Sequence, residues 1–127
     1  MPIRYIGSDE WAALVEGAKQ PVLVEFVTST CPICATMAVP VERLAERLEG
    51  DVRVYRVDVG REQALAMRFG VMGVPTFMTF CRGLMVSSMA GEVYLALLER
   101  MAKEALQSGS ACASKQTRVT YEISGYG

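Results

Sequence analysis

Apolar positions change their spacing several times along the first 106 residues, and each change marks a new element. Val22 to Val27 is an almost unbroken apolar run broken only by Glu25, which reads as a strand buried on both faces. Met37, Val41, Leu44, Ala45 and Leu48 then recur at helical spacing up to Gly50, with Pro40 inside the pattern and expected to kink it. Val52 to Val59 alternates as a strand. Glu62 to Phe69 reads as a short helix stopped by Gly70, and Thr76 to Phe80 and Leu84 to Met89 read as two strands around an Arg82-Gly83 turn. Upstream, Ile3 to Ile6 predicts a short strand. Ser8-Asp9-Glu10-Trp11 predicts a helix start with Ser8 as N-cap and Trp11 to Val15 as the apolar face. A last amphipathic helix is expected from about Glu92 to Leu106.

The resulting order is βαβαβαββα, strand and helix alternating before a late hairpin. Crossovers between parallel strands place helices on both faces of one sheet, so the pattern predicts an α/β fold with a central mixed β-sheet. Residues 1–106 form the predicted domain. From Gln107 the composition shifts to Ser, Gly and Ala, and Thr117 to Ser124 alternates weakly, so 107–127 reads as a C-terminal tail without an assigned role.

Composition narrows the function. The 127 residues are 51% hydrophobic, enough for one domain with a core. Thirteen basic against fourteen acidic residues, without a basic cluster, argue against nucleic acid as a partner. No window reaches the ~18 apolar residues of a membrane span, and the first ten residues lack the basic and apolar regions of a secretory signal. The expectation is a cytoplasmic, monomeric protein with no membrane association.

In a reducing compartment, a Cys-x-x-Cys is redox-active or metal-binding rather than structural. Cys31-Pro32-Ile33-Cys34 follows the Val22 to Val27 strand and opens the next helix. Cys31 at the N-cap would face unpaired backbone N–H groups, which stabilise a thiolate and mark it as the attacking thiol. Cys34, one turn on and on the inner side, would resolve the mixed disulfide. The competing reading is a metal or cluster site; with no histidine and no second Cys-x-x-Cys, it would have to draw on Cys81, Cys112 or carboxylates. Cys81 and Cys112 read as incidental thiols.

Over residues 3 to 106 the chain resembles thioredoxin. The resemblance rests on Val24-Glu25-Phe26 before the first cysteine, Cys31-x-x-Cys34, Gly73-Val74-Pro75-Thr76, Phe80-x-x-Gly83, and Gly91 before the final helix. It implies a thioredoxin fold and a cis peptide at Val74-Pro75, with Pro75 against the cysteine pair and the Val74 backbone pairing with an extended substrate. It also implies that Glu25 is a buried acid assisting proton transfer at Cys34, which requires enough desolvation to hold a proton near neutral pH. The catalytic set is then Cys31, Cys34, Glu25 and Pro75, bordered by Thr30, Pro32, Ile33, Gly73, Val74 and Gly91 on the substrate side. Arg56 stands where thioredoxins usually carry lysine; a pair with Glu25 would lower the acid's pKa and weaken it as a proton donor.

The chain departs from thioredoxin around the cysteines. Thr30 replaces a tryptophan and Pro32-Ile33 replaces Gly-Pro; proline after the first cysteine is the glutaredoxin pattern, which suggests a more oxidising centre. The predicted activity is a protein-disulfide reductase, a thiol-disulfide oxidoreductase using the Cys31-Cys34 pair and no other cofactor. Its expected partners are disulfide-containing proteins and a reductase such as a thioredoxin reductase. The alternative is a non-catalytic module holding a metal, an iron–sulfur cluster or a protein partner.

Overall fold

The structure is a computed structural model and describes residues 2–107. Its strands are β1 (Arg4–Tyr5), β2 (Val22–Val27), β3 (Arg53–Asp58), β4 (Thr76–Cys81) and β5 (Leu84–Ala90). The helices are α1 (Ser8–Trp11), which continues as a π-helical turn over Ala12–Glu16, α2 (Pro32–Leu48), α3 (Gln63–Arg68) and α4 (Leu95–Gln107). The strand and helix order read from the spacing is therefore present, with the fold class it implies.

The five strands lie in the order β1-β3-β2-β4-β5. β1, β3 and β2 run parallel, while β4 is antiparallel to both β2 and β5. All six residues of β2 are buried, because β2 is the central strand and is covered on both faces. Its alternation sorts the core into two layers. Leu23 joins Met37, Val41, Leu44, Phe77, Leu98 and Met101 against α2 and α4, whereas Val22, Val24 and Phe26 join Trp11, Val57, Leu65 and Phe80 against α1 and α3. Glu25 shares the parity of Leu23 and so faces α2.

Local corrections have physical causes. Gly7, not Ser8, is the N-cap of α1. Glu10 accepts from the Gly7 N–H at 3.3 Å and Glu62 from the Ser8 N–H at 3.0 Å, so carboxylates take up the N–H groups at the start of α1. The last helix begins at Leu95 rather than Glu92, where the Tyr94 carbonyl accepts from Leu97 and Leu98. α2 runs as one helix through Pro40. The hairpin turn is as expected, with Arg82 at φ 54° and Gly83 at φ 85°, both left-handed as a two-residue primed turn requires. The expected tail lies outside the described residues except for Gln107, which ends α4.

Trp11 is almost wholly buried and sits 5.1 Å, centroid to centroid, from both Phe69 and Phe80. This aromatic trio clamps the π-helical turn and the end of α3 onto the sheet. Trp11→Ala is expected to cost about 3–5 kcal/mol, by lost burial and the cavity left behind. Urea unfolding followed by circular dichroism measures it, and a loss below about 1 kcal/mol would mean that the trio is not part of the stabilising core.

Candidate active site

The site is built where β2 hands over to α2. β2 ends at Val27, and α2 begins at Pro32, whose fixed φ and missing N–H suit a first helical position. Cys31 is the N-cap with extended backbone, and its Sγ accepts the Cys34 N–H at 3.1 Å. Cys31 and Cys34 are joined in a disulfide with Cα atoms 5.2 Å apart. The pair is asymmetric: Cys31 is partly exposed, whereas Cys34 is only 7% exposed. A thiolate released at Cys31 would keep a backbone donor and the helix N-terminus beside it.

A cleft beside the pair is also lined by Arg56, which belongs to a buried charge cluster. Glu25 and Arg56 are register partners on adjacent parallel strands, and Glu25 is fully buried. Arg56 Nε donates to Glu25 Oε1 at 2.7 Å, Nη1 to Glu42 Oε2 at 3.0 Å, and Nη2 to the Ala38 carbonyl at 3.1 Å. Among the described residues, Glu25 Oε2 has no hydrogen-bond partner. Burial pushes the Glu25 carboxyl above its ordinary 4.5; the hydrogen bond and charge of Arg56 pull it down but are outweighed, and the Glu42 charge adds to the rise. The pair expected from the sequence therefore forms and pulls the Glu25 carboxyl down as expected, but burial outweighs it and the carboxyl stands above its ordinary value. Desolvation would lower the Arg56 pKa, yet its hydrogen bonds to Glu25 and Glu42 hold it raised and the guanidinium charged.

Glu42 was missed by the sequence reading. The signal was available, since Cys34, Ala38 and Glu42 are spaced four apart and form one stripe of α2. A small cleft of about 190 Å³ is lined by Cys31, Cys34, Ala38, Thr28, Ser29, Tyr5 and Arg56, so the guanidinium and both cysteines border the same space.

The remaining candidates gather at the same end of the sheet. Thr76 pairs with Phe26 near the end of β2, which sets Gly73, Val74 and Pro75 on the side from which the chain leaves for Cys31. The Val74-Pro75 peptide is cis. The Pro75 carbonyl accepts the Gly91 N–H at 2.8 Å, which ties the end of β5 to this loop, and Gly91 sits at φ 86°. Thr30 and Pro32 are exposed, and so are Ile33 at 39% and Met72 at 97%, while Val74 is half-buried.

Cys81, expected to be an incidental thiol, is buried and held in a disulfide; Cys112 lies outside the described residues. Among the described residues, no three His, Cys, Asp or Glu side chains come together as a metal-ligand set. Nor is any described helix long and apolar enough to cross a membrane.

Sheet order, a disulfide across the start of α2 and a cis proline before β4 define a thioredoxin-fold protein with a Cys-x-x-Cys centre. The family model described as Thioredoxin matches residues 3–104, and the chain belongs to the thioredoxin family. It is 28% identical over 96 residues to a chloroplastic M-type thioredoxin from Pisum sativum, covering 76% of this chain and 56% of that protein. It is 30% identical over 90 residues to the thioredoxin of Griffithsia pacifica, covering 70% and 83% of the two chains. A mutant thioredoxin from Halobacterium salinarum superposes with a TM-score of 0.73 at 30% identity, covering 83% of this chain and 90% of that one. The chain spans little more than half the length of the Pisum protein.

The raised Glu25 pKa has a consequence for stability. Between the unfolded value and the higher folded one, the native state binds the extra proton, so stability is fully present below about pH 4.5 and falls as pH rises through the folded value. Glu25→Gln should remove this slope and gain stability relative to the parent as pH increases from 4.5. Denaturant midpoints across pH 4 to 9 test it; parallel profiles for the two proteins would show that Glu25 does not titrate abnormally.

Proposed function

We propose that the protein is a thiol-disulfide oxidoreductase that reduces or exchanges disulfides of other proteins. The observation that carries this reading is the asymmetric pair on α2, Cys31 reachable at the N-cap with a backbone donor on its sulfur and Cys34 buried beside it. In the reductive direction the Cys31 thiolate attacks one sulfur of a substrate disulfide, forming a mixed disulfide and expelling the other sulfur as a thiolate. Cys34 loses its proton, attacks Cys31 Sγ and expels the second substrate sulfur. The substrate leaves as a dithiol and the enzyme keeps the Cys31-Cys34 disulfide, so two electrons have moved to the substrate.

Each group has a part in this cycle. Glu25, held above its ordinary pKa, is the base that takes the Cys34 proton. Ile33, Met72 and Val74 offer an apolar surface for the substrate, and the loop backbone at Val74, with Gly73, Pro75 and Gly91 around it, aligns an extended segment. Thr30 and Pro32 border the attacking sulfur. The cysteine pair is the redox centre and the cycle calls for no other cofactor. A reductase of the thioredoxin reductase kind would regenerate the dithiol, in a reducing compartment such as the cytoplasm.

Cys31→Ser is expected to abolish reduction of a protein disulfide. Cys34→Ser should instead accumulate a covalent adduct through Cys31, seen as added mass on a non-reducing gel and removed by dithiothreitol. Full activity in Cys31→Ser would overturn the assignment. A redox titration of the pair, read by alkylation and mass, sets its direction: a midpoint near about −270 mV marks a reductase, and one near about −200 mV or above an exchanging or oxidising role.

A further inference from the structure

We propose that Glu42 is a positioning residue for the proton step at Cys34, acting through Arg56 to keep Glu25 able to take up a proton. The inference rests on the oxidoreductase reading above and extends it by one residue. Its basis is geometric. Arg56 spends one nitrogen on Glu25, one on Glu42 and one on the Ala38 carbonyl, so the guanidinium is divided between a strand carboxylate and the helix that carries the cysteines. Cys34, Ala38 and Glu42 lie on one stripe of α2, and the cleft bordered by Cys31 and Cys34 is closed on one side by Arg56. A shift of α2 at Cys34 is thereby coupled to the partner of Glu25.

The two carboxylates divide one cation. Glu25 has lost its water shell altogether, whereas the Glu42 side chain is 26% exposed and keeps some of its own. An unshared Arg56 would lean on Glu25 alone and hold it ionised, which makes it a poor proton acceptor. With Glu42 present, part of that charge is neutralised and the second carboxylate repels the first, so the buried carboxyl keeps its affinity for a proton. Among the described residues, the charged groups acting on Glu25 are Arg56 on β3 and Glu42 on α2, with Tyr5 on β1 acting on Arg56 and the apolar Phe77 opposite Glu25 on β4; Cys34 borders the same cleft as Arg56. The cation is fixed because its acceptors come from β2 and from two successive turns of α2.

In the resolving step the Cys34 S–H bond breaks as its proton passes to Glu25. The Cys34–Cys31 S–S bond forms, and the substrate sulfur leaves with the electron pair of the broken mixed disulfide. Lower proton affinity at Glu25 slows this step without touching the attack by Cys31.

The test is Glu42→Gln in the full chain. Its amide oxygen can still accept from Arg56, so the shape is retained and only the charge is lost. Carboxyl-carbon NMR of the oxidised protein should show Glu25 titrating at lower pH than in the parent. Single-turnover reduction of a protein disulfide at pH 7 should slow about threefold or more, with the acid limb of its pH profile moved to lower pH. The rate at which iodoacetamide alkylates reduced Cys31 should be unchanged. Glu42→Asp, which keeps the charge, should restore the parent titration. An unchanged Glu25 titration in Glu42→Gln, or an equal fall in alkylation and turnover, would overturn the proposal. The NMR readout needs no turnover: a shifted titration in a parent protein that reduces no disulfide would overturn the oxidoreductase reading and leave the coupling of the two carboxylates standing.

Discussion

A carboxylate at the centre of a sheet is the constraint around which this protein is arranged. Glu25 lies midway along β2, the central strand, without exposed surface. An unpaired ionised carboxylate there would be heavily penalised, and removing one member of a buried ion pair typically costs about 3–5 kcal/mol. The pairing is made possible by register. Because β2 and β3 run parallel with Glu25 opposite Arg56, the cation arrives at the same level of the sheet as the acid and on the face covered by α2. A slip of one residue would turn Arg56 to the opposite layer, among Trp11, Val24 and Leu65, and leave Glu25 without its partner.

The same face explains why the chemistry sits where it does. α2 crosses the Glu25 side of the sheet and begins at the end of β2, so its N-terminus and the loop before β4 meet at one rim. Cys31 is at that rim with a backbone donor on its sulfur, and Cys34 is one turn deeper. The buried cluster meets the cysteine helix further along the stripe that carries Cys34, at Ala38 and Glu42. Nucleophile and resolving thiol are thereby given different surroundings by a separation of three residues, one governed by the helix terminus and exposure, the other by a low-dielectric pocket with an acid of raised proton affinity.

Much of this was legible along the chain. The continuous apolar run at Val22 to Val27 announces a central strand, the i, i+3, i+4 recurrence from Met37 announces α2, and the Cys-Pro start announces its N-terminus. The cis proline and the buried acid followed from the resemblance rather than from spacing. What could not be read was the outcome of competing effects. Whether Arg56 lowers Glu25 or burial raises it depends on how completely water is excluded, and no pattern of residue types states that. Ser8 is not the cap because the helix opens one residue earlier, with Gly7 as N-cap, and the carboxylate that takes up the Ser8 N–H comes from Glu62, far along the chain, which local spacing does not show. Cys81, isolated in sequence and next to a turn, gave no sign of being bonded.

The choice of arginine at position 56 closes the physical account. A lysine presents a single rotatable ammonium, which one buried carboxylate and a carbonyl can satisfy. A guanidinium brings five donors in a rigid fork, and burying it demands acceptors in several directions at once. Glu25 answers one edge of the fork, and Ala38 and Glu42 on successive turns of α2 answer the others. Arginine at this position therefore calls for an acceptor at position 42. The requirement joins the sheet that holds the acid to the helix that holds the cysteines, so the site's electrostatics and its packing are one arrangement rather than two.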